Sequence, residues 1–598
     1  MKLKLSDNGG SSSYSEYHPP PTTTTTTMKK KIIFLSLLTI VLISASAASA
    51  VLILSVHFRP SDNGQNAPTR LSKPTQAISI TCNKTRFPSL CTNYLLQFPA
   101  SKTASEKDLI HISINITLQH LTKALYSSVS LSDSISTVSP RVQAAYDDCL
   151  ELLHDSIDAL SRSLISVAPP SSSVSGDIRP LGSYDDVLTW LSAALTNEDT
   201  CAEGFADTNG GITDQMANNL RDLSELLSNC LAIFSSIGAG DDFSGVPIQN
   251  KRRLMTMRED NFPRWLKTRD RRLLSLPVNE IQPDVIVSKD GNGVVKKISE
   301  AIKKAPEYSS RRFIIYVRAG RYEENNLKVG RKKTNLMLIG DGKGKTVITG
   351  RKNFLNGTTT FRTASFAASG AGFIARDITF ENYAGPDKHQ AVALRVGSDH
   401  SVIYRCSIIG YQDTCYVHSN RQFFRECDIY GTIDFIFGNA AVVFQNCSLN
   451  ARKPMAQQKN SITAQNRKDP NQNTGISIHD CQIRPTPDLE AVKGKYQTYL
   501  GRPWKLHSRT VYMMSYMDDH IHQCGWLEWN KTFALNTLYY GEYMNYGPGA
   551  AIGQRVQWPG YRVITSTVEA SRFTVGQFIS GSTWLPSTGV SFMVGLSS

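Results

Sequence analysis

The sequence has 11 cysteines and no CxxC pair among them, which argues against a structural zinc site. It shows no cluster of metal-ligand type, and no serine or cysteine sits in a recognisable nucleophile elbow. No metal or other cofactor is therefore expected. Charged residues make up only 19% against 40% hydrophobic, so most of the chain should fold around real cores. Two-residue hairpin turns are sparse, which counts against an antiparallel sandwich. Long apolar runs are also scarce, with one exception near the start.

That exception is IIFLSLLTIVLISASAASAVLILSVHF, residues 32–58, preceded by three lysines. As a helix it is long enough to cross about 30 Å of hydrocarbon. The lysines keep the N-terminus cytoplasmic and send the rest into the secretory path. A cleaved signal peptide and a retained signal anchor both fit, and the return of apolar residues at Val51-Leu-Ile-Leu54 favours the anchor. Residues 1–31 read as a disordered cytoplasmic tail and 59–78 as a linker. Five N-glycosylation sequons, at Asn83, Asn115, Asn356, Asn446 and Asn530, agree with a secretory route.

At 598 residues the chain needs several domains. Residues 79–236 read as a helical bundle. From Asp214, the residues Met216, Leu220, Leu223, Leu227, Cys230 and Leu231 form one helical face. Cys82 and Cys91, nine apart, fit a staple of a short hairpin, and Cys149 and Cys201 can join two long helices. These pairs, with DDVLTWLSAALTNEDTCAEGF, resemble the plant invertase and pectin methylesterase inhibitor family. The resemblance implies Cys82–Cys91 and Cys149–Cys201 disulfides. Residues 237–275 form a basic linker with two similar tetrapeptides, Arg252-Arg253-Leu-Met255 and Arg271-Arg272-Leu-Leu274. Exposed dibasic linkers are favoured sites of proteolysis, and a subtilisin-like processing protease is the expected partner.

Residues 276–598 form the last module, and from residue 283 the texture changes to short β-branched and aromatic strands punctuated by Gly, Asn and Asp. This half holds 39 of the 65 Lys and Arg but 25 of the 51 Asp and Glu, so it carries the whole net charge of +14. A basic surface attracts polyanions, either nucleic acid or an acidic polysaccharide. Cys406, Cys427 and Cys447 fall 21 and 20 apart within echoing segments, as in a parallel β-solenoid. Gly410-Tyr-Gln-Asp413 and Gly431-Thr-Ile-Asp434 lie 21 apart, and Gln390 and Gln412 lie 22 apart. On adjacent coils these would stack at about 4.8 Å. Two close carboxyls split into a proton donor and an anion, which suits acyl transfer or glycoside cleavage. Carboxamide N–H groups favour the first, because they can hold an oxyanion.

The stretches GYQDTCY, YGTIDFIFGNA, QAVALRV and LGRPWK resemble the signature motifs of plant pectin methylesterases, over more than 300 residues. That family implies a right-handed parallel β-helix and no nucleic-acid partner. It implies methyl-esterified homogalacturonan as substrate, with Asp434 as nucleophile, Asp413 as proton donor and then base, and Gln412 as stabiliser of the oxyanion. Thr360, Gln390, Arg502 and Trp504 would bind substrate, and Arg502 would also orient Asp434. Cys427 and Cys447 match the family's disulfide pair, although as cysteines stacked on adjacent coils they could be free. Separate inhibitor proteins are further possible partners, and the cell wall is the expected destination. A polygalacturonase, a calcium-dependent lyase and a non-catalytic binding protein are the rival readings.

Overall fold

The computed structural model describes residues 75–168, 182–206, 208–238 and 280–596. The expected membrane segment at 32–58 and the dibasic sites at Arg252, Arg253, Arg271 and Arg272 lie outside these. No helix of the described residues is long and apolar enough to cross a membrane.

The first described module is helical. Helices α1 (Gln76–Asn83) and α2 (Pro88–Gln97) form a hairpin closed by the Cys82–Cys91 disulfide. Helix α3 (Glu106–Val129) starts at a capping box in which Ser105 and Asp108 satisfy each other's backbone N–H groups. Helix α4 (Pro140–Ser166) begins with proline, whose missing N–H costs nothing at that position. Helix α5 (Tyr184–Gly204) repeats the capping box with Ser183 and Asp186. Cys149 and Cys201 are disulfide-bonded and tie α4 to α5.

The face read as one helix from Asp214 is broken into α6 (Gly211–Asn219) and α7 (Leu223–Gly238). Asp222 between them has a φ of 65°, a left-handed conformation that ends a helix and that Asp tolerates better than most residues. All six apolar residues of that face are still buried. Helices α3, α4, α5 and α7 make the expected bundle.

The second module winds through three parallel sheets of eleven, seven and eight strands. Seven successive coils each give one strand to every sheet, with the right-handed sense that parallel crossovers take. The seven-stranded sheet carries the site. Its strands are β1 (Lys328–Val329), β2 (Phe366–Ala368), β3 (Leu394–Val396), β4 (Cys415–Val417), β5 (Ile433–Gly438), β6 (Asn460–Gln465) and β7 (Thr498–Pro503). They stack in chain order.

One corner of the coil is built by the same device on successive turns. Asp377, Arg405, Glu426, Asn446 and Asp480 all have φ between 51° and 58°. A single left-handed residue bends the strand sharply, and the next side chain then points inward: Ile378, Cys406, Cys427, Cys447 and Cys481, all buried.

This placement corrects the expected Cys427–Cys447 disulfide. Both residues carry free thiols. Stacked rungs of a parallel coil project side chains side by side, about 4.8 Å apart. A disulfide needs sulfurs at about 2.05 Å with a dihedral near 90°, which parallel Cβ vectors do not give. The Cys415 side chain also points into the coil core and away from the site.

Aromatic stacks fill the interior. Phe424 and Phe444 lie one coil apart with ring centroids 4.5 Å apart, and both are fully buried. Phe424→Ala should cost about 3–5 kcal/mol, because neighbouring coils cannot collapse into the hole. A denaturant titration of the mutant would show this as a lower midpoint at unchanged slope.

Candidate active site

Asp413 and Asp434 sit at the entry of β4 and within β5, and their backbones hydrogen-bond across adjacent coils: Asp413 N donates to the Ile433 carbonyl at 3.0 Å. The 21-residue interval is thus one coil. Both aspartates are left-handed, with φ of 59° and 51°, and the pairing of β5 with β6 shifts register between Ile433 and Ile436. Bulges and left-handed residues re-aim side chains, and they cluster at functional sites.

The two carboxyls have different partners. Arg502 grips Asp434 at two points: Nε donates to Oδ1 at 2.8 Å and Nη2 to Oδ2 at 2.6 Å. Such a bidentate pair fixes the plane of the carboxylate and balances its charge. Asp413 is only 8% exposed. Burial first, and the charge of Asp434 second, hold its proton well above the usual carboxylate range, against the pull of Arg502. One carboxyl is therefore poised to give a proton while the other can attack.

The remaining predicted residues lie on the same face. The Gln412 carbonyl accepts from Ala391 N at 3.2 Å, which sets Gln390 one coil from Gln412. Thr360 opens a short 3-10 turn ahead of β2. Trp504 follows Arg502 by two residues, with its ring 6.0 Å from that of Phe437.

Several residues of this face were not singled out from the sequence. Arg395, Tyr416 and Phe437 pair in register along β3, β4 and β5. They are 21 apart in sequence, so the interval that exposed the aspartates would have exposed them too. Tyr416 and Phe437 stack at 4.2 Å, and Phe361 meets Tyr416 edge-on at 6.3 Å. With Trp504 they make an aromatic row. Trp529, beyond the seven-stranded sheet, lies against the Arg502 guanidinium at 4.4 Å.

The helical module packs on this row, and Phe361, Tyr416 and Phe437 belong to the same apolar cluster as its core. Thr189, Ser192, Thr196 and Thr200 recur at three- and four-residue steps, one face of α5. Asn473 donates to Thr189 Oγ1 at 2.8 Å, Gln472 to the Ser192 carbonyl at 3.0 Å and Asn439 to Thr196 Oγ1 at 2.9 Å. Thr200 Oγ1 bonds His418 Nε2 at 3.0 Å. Burial first, then nearby Arg395, lowers the His418 pKa to about 3.

Ion pairs frame these contacts. On α4, Asp147 and Asp148 meet Arg362 at 3.0 and 2.8 Å, Glu151 meets Lys328 at 2.6 Å, and Asp155 meets Arg331 at 3.3 Å. On α5, Asp186 meets Arg421 at 2.5 Å, Asp199 meets Lys468 at 3.0 Å, and Glu203 meets Lys505 at 2.5 Å. Burial pushes Asp155, Glu198 and Glu203 up to about 7.

Two family models match the chain in turn: plant invertase/pectin methylesterase inhibitor over residues 76–233, and pectinesterase over residues 284–582. A protein named Probable pectinesterase/pectinesterase inhibitor 34, from Arabidopsis thaliana, is 67% identical over 536 residues, 89% of this chain and 88% of that relative. The chain belongs to the pectinesterase family. Pectinesterase 3 of Citrus sinensis is 45% identical over 541 residues, covering 89% of this chain and 91% of its own. Among solved structures, the pectin methylesterase from carrot is 56% identical with a TM-score of 0.52. It covers 53% of this chain and 99% of its own. With 99% of its own length covered, that relative is about the length of the β-helix half, so a pectin methylesterase of that length folds without an inhibitor-like module.

Proposed function

We propose that this pectinesterase hydrolyses the methyl esters of cell-wall homogalacturonan through the Asp434–Asp413 pair. The observation that carries the reading is the asymmetry of the two carboxyls, one gripped by Arg502 and the other buried with its proton. Asp434 attacks the ester carbonyl carbon, and the carboxamide N–H of Gln412 stabilises the oxyanion that forms. Asp413 gives its proton to the departing methoxide, and methanol leaves. The same carboxylate then takes a proton from water, and the resulting hydroxide cleaves the acyl-enzyme to free acid and restores Asp434. Gln390 and Thr360 hold the substrate, and Trp504 supplies a flat apolar face for a sugar ring.

The β-helix half should release methanol from highly methylated pectin without shortening the polymer. New reducing ends would indicate a glycosidase, and unsaturated products a lyase. A folded protein that releases no methanol would turn the site into a binding surface.

The helical module is an autoinhibitor in this reading, because α5 lies along the aromatic row where substrate would lie. Cleavage at Arg252-Arg253 or after Leu274 by a subtilisin-like protease frees the cleft, in the secretory path or at the cell wall. The precursor is held at the membrane through residues 32–58. The uncut chain should show under about 1% of the activity of residues 275–598, since docking that buries so many charge pairs shifts the equilibrium by several kcal/mol. Equal activity of the two forms would refute autoinhibition.

A further inference from the structure

The charges across the module boundary run almost entirely one way. The β-helix supplies the cations and the helices supply the carboxylates. Among the described ion pairs between the modules, only Arg86 with Asp469 is reversed. All of these cations but Arg421, which opens a strand of the eleven-stranded sheet, follow the seven-stranded sheet from Lys328 in β1 to Lys505 just past β7. Six strand spacings of about 4.8 Å make this a track of about 29 Å. The Lys468 link stands on residues 466–474, where an extra length of chain between β6 and the next strand reaches toward the module.

Arg395 lies in the middle of the track and is the informative residue. It is 5% exposed and its guanidinium lies 3.3 Å from the Phe361 ring centre. Its Nε makes no hydrogen bond, although Asp148, Glu151 and Asp155 all act on it through space. Burying an imperfectly bonded guanidinium is unfavourable. A surface shaped only to hold α4 would place a neutral or better bonded group there. The arrangement suits a ligand other than the helix, one that brings a carboxylate to Arg395 when α4 is absent.

We infer that the helical module docks as a mimic of free galacturonate carboxylates. The cations from Lys328 to Lys505 are then the carboxylate track of the released β-helix, and de-esterified polygalacturonate and the module exclude each other. This rests on the esterase reading and deepens it. The product of the reaction, a run of free acids, is the ligand that displaces the module and holds the enzyme on its chain. A methyl-esterified stretch lacks the charge and does neither.

The test uses residues 275–598 and calorimetry with galacturonate oligomers of about eight sugars, fully acid or fully methyl-esterified. The acid form should bind at least about tenfold more tightly, the worth of one charge-assisted hydrogen bond. Arg395→Gln should remove most of that preference. Lys468→Gln, at a half-exposed position that leaves the core intact, should weaken acid binding about threefold or more. In the full chain cut within residues 237–275, the acid oligomer should release the module on a sizing column and the ester should not. Equal binding of acid and ester, a ternary complex with the module still docked, or equal release by polyglutamate would each overturn the inference. Methanol release by the same preparation reports on the esterase reading separately: activity without acid preference overturns the mimicry alone.

Discussion

Asp434→Ala in residues 275–598 should release methanol from methylated pectin about 10⁴-fold more slowly than the parent, the usual scale for loss of a covalent nucleophile. The loss should fall on kcat, since Asp434 is in the grip of Arg502 and binds little of the polymer itself. Asp434→Asn keeps the volume and is the cleaner variant. It leaves Arg502 facing a neutral amide, so it also reports what the guanidinium pairing contributes. Asp413→Asn should be damaged less, by about 10²–10³-fold, because a general acid is partly replaceable by water. A nucleophile variant with more than about 10% of parent activity would sink the mechanism. Circular dichroism on each variant separates lost chemistry from lost fold.

Docking of the module should strengthen as pH falls from about 7.5 to about 5. Asp155, Glu198 and Glu203 hold protons up to about 7 when docked, chiefly through burial, but return to ordinary carboxyl values near 4 once exposed. A group whose pKa is raised in the docked state contributes fully below its free value, and the contribution disappears as pH rises through the docked value. For a single such group the association constant changes by roughly tenfold per pH unit between about 5 and 7.

The surroundings bear on the size. Glu203 faces Asp199 on its own helix and Lys505 and Lys468 opposite. Glu198 faces Lys468, Asp199 and Glu225. Asp155 faces Glu151 and Asp158 beside it and Arg331 and Arg395 across. Burial raises Glu151 and Asp186 too, but Arg395 and Lys328 in one case and Arg421 in the other bring them below the usual range. They titrate beneath the window and leave the sign unchanged there, while His418, lowered to about 3 when docked, works against one of the three groups below its free value of about 6.5. The measurement is the dissociation constant of the cut module across pH 5–7.5, with Glu203→Gln as the variant that makes the curve shallower, by up to about tenfold per pH unit. A constant that does not vary with pH would refute the linkage.

Much of this molecule was legible in one dimension. The coil interval between Asp413 and Asp434 could be read as a stack because a parallel β-helix turns a sequence period directly into a spatial neighbour. The helical face from Met216 to Leu231 was legible because burial imposes a 3.6-residue period, whatever the backbone does between two of its turns. The break at Asp222 was not, since a left-handed residue leaves the apolar pattern almost unaltered.

The cysteines show the limit of spacing. Cys82–Cys91 spans a short helical hairpin and is disulfide-bonded, whereas Cys427 and Cys447 match a family pair but carry free thiols. The second pair lies on parallel rungs whose Cβ vectors never meet. By itself the sequence determined the modules, the parallel coil and the stack of two carboxyls with two carboxamides, because period and composition are local or repeat at a fixed interval, while the resemblance to pectin methylesterases implied the ester roles. Only the tertiary structure decided that Arg502 grips Asp434 at two points, that Asp413 is buried, and that the carboxylates of α4 and α5 fall on the cations of the cleft. Those depend on contacts between segments separated by tens to hundreds of residues, whose sequences carry no sign of one another.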